Sequence, residues 1–352
     1  MQLNVIQFPN RKQIIAPSTW TKKRLADFHV EALLYCQYKC CYCSSNSGRH
    51  LKTIRPELEA AVQRATGCTF DPHDAVNMTI AFEDVVKALE AELAEFRTKP
   101  GRGKTLVYSQ LTDGLSPVVL RDGTARRILE LLVEKTDYRI RILTKNSIVG
   151  SPRWIEFFLA HPERFVVGLS IGTLDDKFGR RLEKGTPRPS SRITALRALQ
   201  DAGVPTYGML CPVFPEVLQS DQLERLLDAI RPEFCEHVWA EPYNDRQNWR
   251  YVRKCFAPQS FMWNWMSHVY GERDKTFWSS YATELYTRIR ERAMRDGWID
   301  RLCYLLYEKH VTHQDADSFQ DLQGVLLQSK EDDQGFSRHP QFAQFQASSR
   351  AK

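Results

Sequence analysis

The sequence predicts an α/β protein built on parallel strands, and three observations carry that reading. From residue 80 onward, segments with helical apolar spacing alternate with short apolar runs of strand length. Repeated βα units of this kind imply parallel strands joined by right-handed crossovers. At 352 residues the chain can bury the core of a single α/β barrel with an appendage.

The elements follow in order. Val30 to Tyr35 reads as the first strand. Residues 44–79 are too many for a βα loop. They contain a helix of their own, Pro56 to Ala65 with Gly67 after it, and read as an insertion over the barrel mouth. Phe82, Val85, Val86, Leu89, Leu93 and Phe96 recur at helical spacing. Thr105 to Gln110 is then a strand, Ala125 to Glu134 a helix, Arg139 to Thr144 a strand, and Trp154 to Leu159 a short helix. Phe165 to Ile171 is a buried strand, and Ser190 to Ala202 a helix that Gly203 stops. Strand Val204 to Cys211, helix Ser220 to Ile230 and strand Cys235 to Glu241 complete six strands counted from Val30. After Asn248 the pattern becomes aromatic-rich helices: Phe261 to His268, Phe277 to Met294 and Ile299 to Glu308. Trp263, Trp265 and Trp278 are expected in the core, closing the barrel's open side. From His313 the chain is rich in Gln, Ser and Asp, and is expected to be a disordered tail. The expected division is therefore an N-terminal extension (1–28), a barrel (29–245), a helical region (246–312) and the tail (313–352).

Composition narrows the function classes. No run of about 18 apolar residues exists, so no membrane partner is expected. The N-terminus lacks the pattern of a signal peptide. Nine cysteines, four of them in one loop, make a poor disulfide framework and point to a reducing cytoplasm. The net charge of +6 permits an anionic partner without requiring one.

The most informative feature is the run Tyr35-Cys36-Gln37-Tyr38-Lys39-Cys40-Cys41-Tyr42-Cys43, with cysteines spaced C-x3-C-x2-C. Thiolates are soft anionic donors suited to iron already bridged by sulfide. Three of them leave one iron of a four-iron cluster open to a substrate or cofactor. The alternatives are a zinc knot, which needs a fourth ligand such as Cys41 or His50, and buried free thiols. Cys68, Cys211, Cys235, Cys255 and Cys303 are scattered singly and suggest no second cluster, and His310 and His313 form no convincing metal pair.

The cysteine spacing resembles the signature of the radical S-adenosylmethionine (radical SAM) superfamily. The resemblance implies a partial (β/α)6 TIM-like barrel with a helical C-terminal extension. It also implies one [4Fe–4S] cluster on Cys36, Cys40 and Cys43. S-adenosylmethionine (SAM) would bind at the open iron, and Tyr42 would lie near the adenine. One electron, from a donor such as flavodoxin or ferredoxin, would cleave SAM to methionine and a 5′-deoxyadenosyl radical that abstracts hydrogen from the substrate.

Chemistry in a parallel barrel sits at the C-terminal strand ends. That rule places the basic run Arg97 to Lys104, which precedes a strand, on the opposite face as a solvated loop. It gathers Ser109, Thr112 and Asp113 after the second strand, Lys145 after the third and Ser170 after the fourth. A lysine suits the SAM carboxylate, an acid its ammonium and a hydroxyl its ribose. The stretch Ser109 to Pro215 further resembles the spore photoproduct lyase-like (DNA repair photolyase-related) branch. The matching pieces are Ser109-x-x-Thr112-Asp113, Leu143-Thr144-Lys145-Asn146, Gly168-Leu169-Ser170-Ile171, Arg181-Leu182-Glu183-x-x-Thr186-Pro187 and Pro212-Val213-Phe214-Pro215. This resemblance implies SAM contacts for Ser109, Lys145 and Ser170. The branch's hydrogen-donor cysteine beside that serine has no counterpart in Leu106-Val107-Tyr108, so thymine-dimer repair is not implied.

Two basic segments also follow strands: Arg180, Arg181, Lys184, Arg188 and Arg192, and then Tyr243, Arg246, Trp249 and Arg250. They favour a nucleic acid or nucleotide substrate. A solvated rim with packing aromatics accounts for the same residues. Cys211 ends the fifth strand, either as a hydrogen-atom donor or as an inert buried thiol. The expected function is a cytoplasmic radical SAM enzyme. The alternatives are a modifier of a peptide or small metabolite, and an iron–sulfur sensor without turnover.

Overall fold

A computed structural model of the chain describes residues 4–73, 77–319 and 321–328. In chain order its strands are β1 (Asn4–Phe8), β2 (Ala16–Pro17), β3 (Phe28–Val30), β4 (Leu33–Tyr35), β5 (Met78–Phe82), β6 (Thr105–Tyr108), β7 (Arg139–Thr144), β8 (Phe165–Ser170), β9 (Thr206–Val213), β10 (Cys235–Pro242), β11 (Leu302–Leu306) and β12 (Val325–Leu327). The main sheet has the order β12-β11-β10-β9-β8-β7-β6-β3-β2. All its pairings are parallel except β2 with β3. A small second sheet has the order β1-β5-β4.

β7 to β10 are buried on both faces over most of their length, as in a parallel sheet covered on both sides. The helices pack on one face. Thr124–Lys135 buries Ile128, Leu129, Leu131 and Leu132, and Gln222–Ile230 buries Leu223, Leu226 and Leu227. The opposite face holds a separate cluster of Val166, Tyr207, Met209, Trp239, Cys303, Leu305 and Leu326. These residues alternate along their strands with the helix-facing ones. The segment before β3 covers this second face. Leu25 packs into the cluster, Trp239 Nε1 donates to the Lys23 carbonyl (2.8 Å), and the Arg141 guanidinium lies 4.9 Å from the centre of the Trp239 ring. Residues 18–26, expected as part of a separate extension, are thus one wall of the sheet's inner side.

Three expectations are corrected. Val30 to Tyr35 is not one strand. The chain leaves the main sheet after Val30, and β4 joins the small sheet. The break falls at Glu31, whose buried Oε1 accepts hydrogen bonds from Gln110 N (2.5 Å) and Leu111 N (2.8 Å). Ile299 to Glu308 is not a helix: after one 3-10 turn the chain enters β11, whose residues are all buried. The free edge of β10 supplies backbone partners there that a helix could not use. The beginning of the expected disordered tail is folded. Phe319 is fully buried and β12 pairs with β11. The rest of that tail, 329–352, lies outside the described residues.

The insertion contains the helix Arg55–Thr66, closed by Gly67 in the left-handed conformation that favours glycine. Trp265 and Trp278 are buried and Trp263 partly so. No helix among the described residues is long and apolar enough to cross a membrane.

Candidate active site at the strand ends

The cysteine loop leaves β4 and is stitched to the segment after the helix Asp176–Leu182. Cys41 N donates to Leu182 O (2.9 Å), Gly185 N donates to Tyr38 O (3.0 Å), and Cys40 forms a β-bridge with Glu183. Glycine is required at 185 because a Cβ there would stand 2.8 Å from Gln37 O. Cys36, Cys40, Cys41 and Cys43 are all free and partly exposed. Burial pushes the Cys36 thiol up to about 12, with Cys43 and Asp113 adding to it. Burial also raises Cys40, reinforced by Glu183, while Lys145 opposes the rise. Cys36, Cys40 and Cys43 sit within electrostatic reach of one another, and Cys41 is within reach of both Cys40 and Cys255. As the side chains stand, no group of three or more His, Cys, Asp or Glu among the described residues is arranged to hold a metal ion. The donor set itself, three soft thiols in one loop with no disulfide among them, suits an iron–sulfur cluster better than a hard cation.

Beside the loop, Glu183 is the centre of a charged cluster. Its carboxylate accepts from the Tyr42 hydroxyl and from Arg192 Nη2, and lies 3.9 Å from Lys145 Nζ. Burial works to raise the Glu183 pKa, but Lys145 and Arg192 hold it below the usual carboxylate range. Lys145 Nζ also donates to Ser170 Oγ (2.7 Å), and that hydroxyl donates to the Cys211 carbonyl (2.7 Å). The Tyr42 ring lies 5.7 Å from Lys145 Nζ and meets the Phe214 ring edge-on at 5.6 Å. A cleft bordered by Tyr42, Thr173, Phe178, Glu183 and Phe214 opens next to it.

Of the residues expected to contact SAM, the structure brings together Tyr42, Lys145 and Ser170. Asp113 and Thr112 belong to a neighbouring brace, and the Ser109 side chain takes part in neither. Asp113 Oδ1 accepts from Thr144 Oγ1 (2.7 Å) and Leu115 N (3.0 Å), and Oδ2 accepts from Lys145 N (2.7 Å). Burial raises the Asp113 pKa in spite of these bonds. The carboxylate thus ties the loop after β6 to the end of β7, and its backbone hydrogen-bonds Cys36. Thr112 Oγ1 donates to Glu31 Oε2 (3.2 Å). Ser109 is buried in the left-handed region at φ 62°, with no partner for its hydroxyl among the described residues.

Sequence reasoning missed a further strand-end carboxylate. Glu241 accepts from Lys23 Nζ (3.0 Å), from Cys211 Sγ (3.0 Å) and from the Tyr307 hydroxyl. Burial works to raise its pKa, yet Lys23 and these donors hold it low. Only the strand-end rule could have flagged Glu241, and nothing in the sequence brings Lys23 to it from the far end of the chain. Two residues of the expected basic and aromatic face are internal: Arg192 is 1% exposed, and Tyr243 stacks on Phe214 at 4.6 Å. Arg246 stands 4.8 Å over the Tyr307 ring, and Trp249 has Arg250 and Arg253 over its ring at 5.2 and 5.0 Å.

No family model matches the chain. It is similar to an uncharacterized protein of Acidianus two-tailed virus, 24% identical over 170 residues that cover 47% of this chain and 53% of the relative. An uncharacterized protein of Mycobacterium tuberculosis is 26% identical over 198 residues, 55% of this chain and 52% of the relative. The chain spans about half the length of these curated relatives. Among solved structures it is similar to a spore photoproduct lyase mutant with bound AdoMet and dinucleoside spore photoproduct, with a TM-score of 0.46 and 13% identity over 73% of this chain and 67% of that one. It is likewise similar to anSMEcpe with bound AdoMet, with a TM-score of 0.44 and 11% identity over 79% of this chain and 60% of that one.

Proposed function

We propose that the chain is a radical SAM enzyme on a partial (β/α)6 barrel, with Cys36, Cys40 and Cys43 as ligands of one [4Fe–4S] cluster and Tyr42, Lys145 and Ser170 lining the SAM seat. The observation that supports this reading is the stitching of the cysteine loop to residues 182–185, which sets Cys40 beside Glu183 and Lys145, the latter bonded to Ser170. When bound, such a cluster supplies the electron that cleaves SAM to methionine and a 5′-deoxyadenosyl radical, which takes hydrogen from the substrate.

The chain's own groups supply binding and orientation. Lys145 offers an ammonium whose present partners are a hydroxyl and a carboxylate at 3.9 Å, so an incoming carboxylate can take the place of Glu183. Glu183 would keep Arg192 as its partner and can accept from an incoming ammonium. Tyr42 is fixed by its hydroxyl and by Phe214, which holds its ring at the cleft as an adenine neighbour. Asp113 and Thr112 act at one remove by holding the loop that abuts Cys36.

The substrate class we favour is a nucleic acid or nucleotide, met by Arg246, Trp249 and Arg250 after β10. A cytoplasmic site and a soluble one-electron donor accompany this reading. The test is anaerobic reconstitution with iron and sulfide. About four irons per chain are expected, with 5′-deoxyadenosine released when dithionite and SAM are added. Stoichiometric zinc in place of iron, or an iron-loaded chain that leaves SAM intact, would overturn it.

A further inference from the structure

A predominantly basic patch lies on the helix Asp176–Leu182 and the turn after it. Lys177, Arg180, Arg181, Lys184 and Arg188 are exposed there. The ion pairs of this segment are internal, Glu183 with Lys145 and with Arg192. Two nearby acids offset part of this charge, Glu216 within electrostatic reach of Arg181 and Asp176 within reach of Arg188, but none of the five cations forms a salt bridge among the described residues. Asp175 caps the helix through Lys177 N (2.7 Å) and Phe178 N (3.1 Å), and Asp176 accepts from Ser190 N (2.9 Å) and Ser190 Oγ (2.7 Å). The cations are left facing solvent. The segment carrying them is the one to which the cysteine loop is stitched, through Leu182, Glu183 and Gly185. The patch is therefore the outer side of the contact whose inner side is Cys40 and Cys41.

Building on the reading above, we propose that this patch is the docking surface for a small acidic protein that carries one electron. A cluster held by this loop must be reduced from outside, and the carrier must approach it without entering the strand-end cleft. The patch offers that approach, and the backbone of 182–185 gives a direct route to the cysteine loop. Its charge selects an acidic partner and steers encounter, raising on-rates by about 10 to 10³-fold at low ionic strength. A nucleic acid is the poorer fit, since Phe178, the one aromatic residue between 172 and 190, is only 5% exposed and leaves no ring for bases. The transfer balances simply: an anionic flavin hydroquinone on the carrier becomes the neutral semiquinone, and the cluster takes up the electron with no bond or proton exchanged.

The experiment uses the full, reconstituted chain with reduced flavodoxin as probe and 5′-deoxyadenosine release as readout, run in parallel with dithionite. The triple variant Arg180→Glu, Arg181→Glu, Lys184→Glu should keep its iron and its dithionite-driven rate and lose at least tenfold of its flavodoxin-driven rate. The wild-type flavodoxin-driven rate should fall as salt rises. If reversal disturbs folding, the neutral pair Arg180→Gln, Lys184→Gln should give a smaller loss in the same direction. An unchanged flavodoxin-driven rate in the variants would overturn the inference, as would loss of oligonucleotide binding in its place. A wild-type chain that dithionite cannot drive would instead overturn the enzyme reading on which the inference rests.

Discussion

Replacing Arg192 with Met tests how the site is held together. The guanidinium is 1% exposed and donates to Glu183 Oε2, Thr186 Oγ1 (2.7 Å), Ser170 O (2.9 Å) and Pro187 O (3.0 Å). Its loss leaves the Glu183 carboxylate, 8% exposed, with only the Tyr42 hydroxyl, Thr186 and an ammonium 3.9 Å away. Breaking a buried ion pair from one side costs about 3–5 kcal/mol. At about 2 °C per kcal/mol for a chain of this size, the melting temperature should fall by roughly 6–10 °C. The sign with pH follows from Glu183. Its folded pKa is depressed, so the pair's contribution is complete above the ordinary carboxylate range and is lost as pH falls through the depressed value. The difference between wild type and variant should therefore be full at neutral pH and shrink in acid. The double variant Arg192→Met, Glu183→Gln removes the stranded charge and should recover much of the loss. Calorimetric melting across pH is the assay. A single variant melting within about 1 °C of wild type at pH 7, or a double variant worse than the sum of the singles, would refute this account.

Further outcomes can be checked in parallel. Ala at Cys36, Cys40 or Cys43 should abolish iron loading, whereas Cys41→Ala should retain most of it, as metal analysis after reconstitution would read; the reverse pattern would move the ligand set. Lys145→Ala should weaken SAM binding by about tenfold or more without removing iron, because a charged hydrogen bond contributes about 1.5–3 kcal/mol, and Ser170→Ala should act in the same direction. Equilibrium binding of SAM decides it, and unchanged affinity in both variants would remove them from the seat. Phe319→Ala should cost about 3–5 kcal/mol in denaturant unfolding, because that ring is fully buried and stacks on Tyr286 at 4.8 Å. Single-stranded oligonucleotides should bind with an affinity that falls with salt, at a log–log slope near −0.7 per neutralised phosphate, and Trp249→Ala should weaken them. A metabolite or peptide that stimulates SAM cleavage when no oligonucleotide binds would redirect the substrate.

The sheet was legible where strands are long enough to show their character. Arg139–Thr144 is bounded as expected, and Phe165–Ser170 to within one residue, because the first alternates arginine with isoleucine at the strand period and the second is an apolar run ending on a polar residue. β11 was not legible, since five buried residues after a long helix show no period of their own. β12 is shorter still, and its pairing with β11 is a contact no local pattern encodes. In the candidate site, the cysteine loop stands out in the sequence by its spacing, and Lys145 and Ser170 by their place at strand ends. Glu183 looked like one acid among arginines, and its role appears only once the cysteine loop lies against it. The Lys23–Glu241 pair joins residues 218 positions apart, a separation that sequence patterning does not reach.

Two of the carboxylates at the strand ends, Glu183 and Glu241, are of similar construction. Glu183 has Arg192, Lys145 and the Tyr42 hydroxyl, and Glu241 has Lys23, the Cys211 thiol and the Tyr307 hydroxyl. Each would be costly to bury without its partners, so each network fixes its own side chains before any ligand arrives. A single hydroxyl joins them: Ser170 accepts from Lys145 and donates to the carbonyl of Cys211. On the proposed reading the half beside the cysteine loop takes the cofactor, which leaves the Glu241 half to face the substrate. A ligand that draws Lys145 away from Ser170 changes the hydrogen bonding of that hydroxyl, and through it the setting of Cys211. Ser170, together with the charge of Lys145 near Cys211, is therefore a route by which loading of the first half is felt in the second.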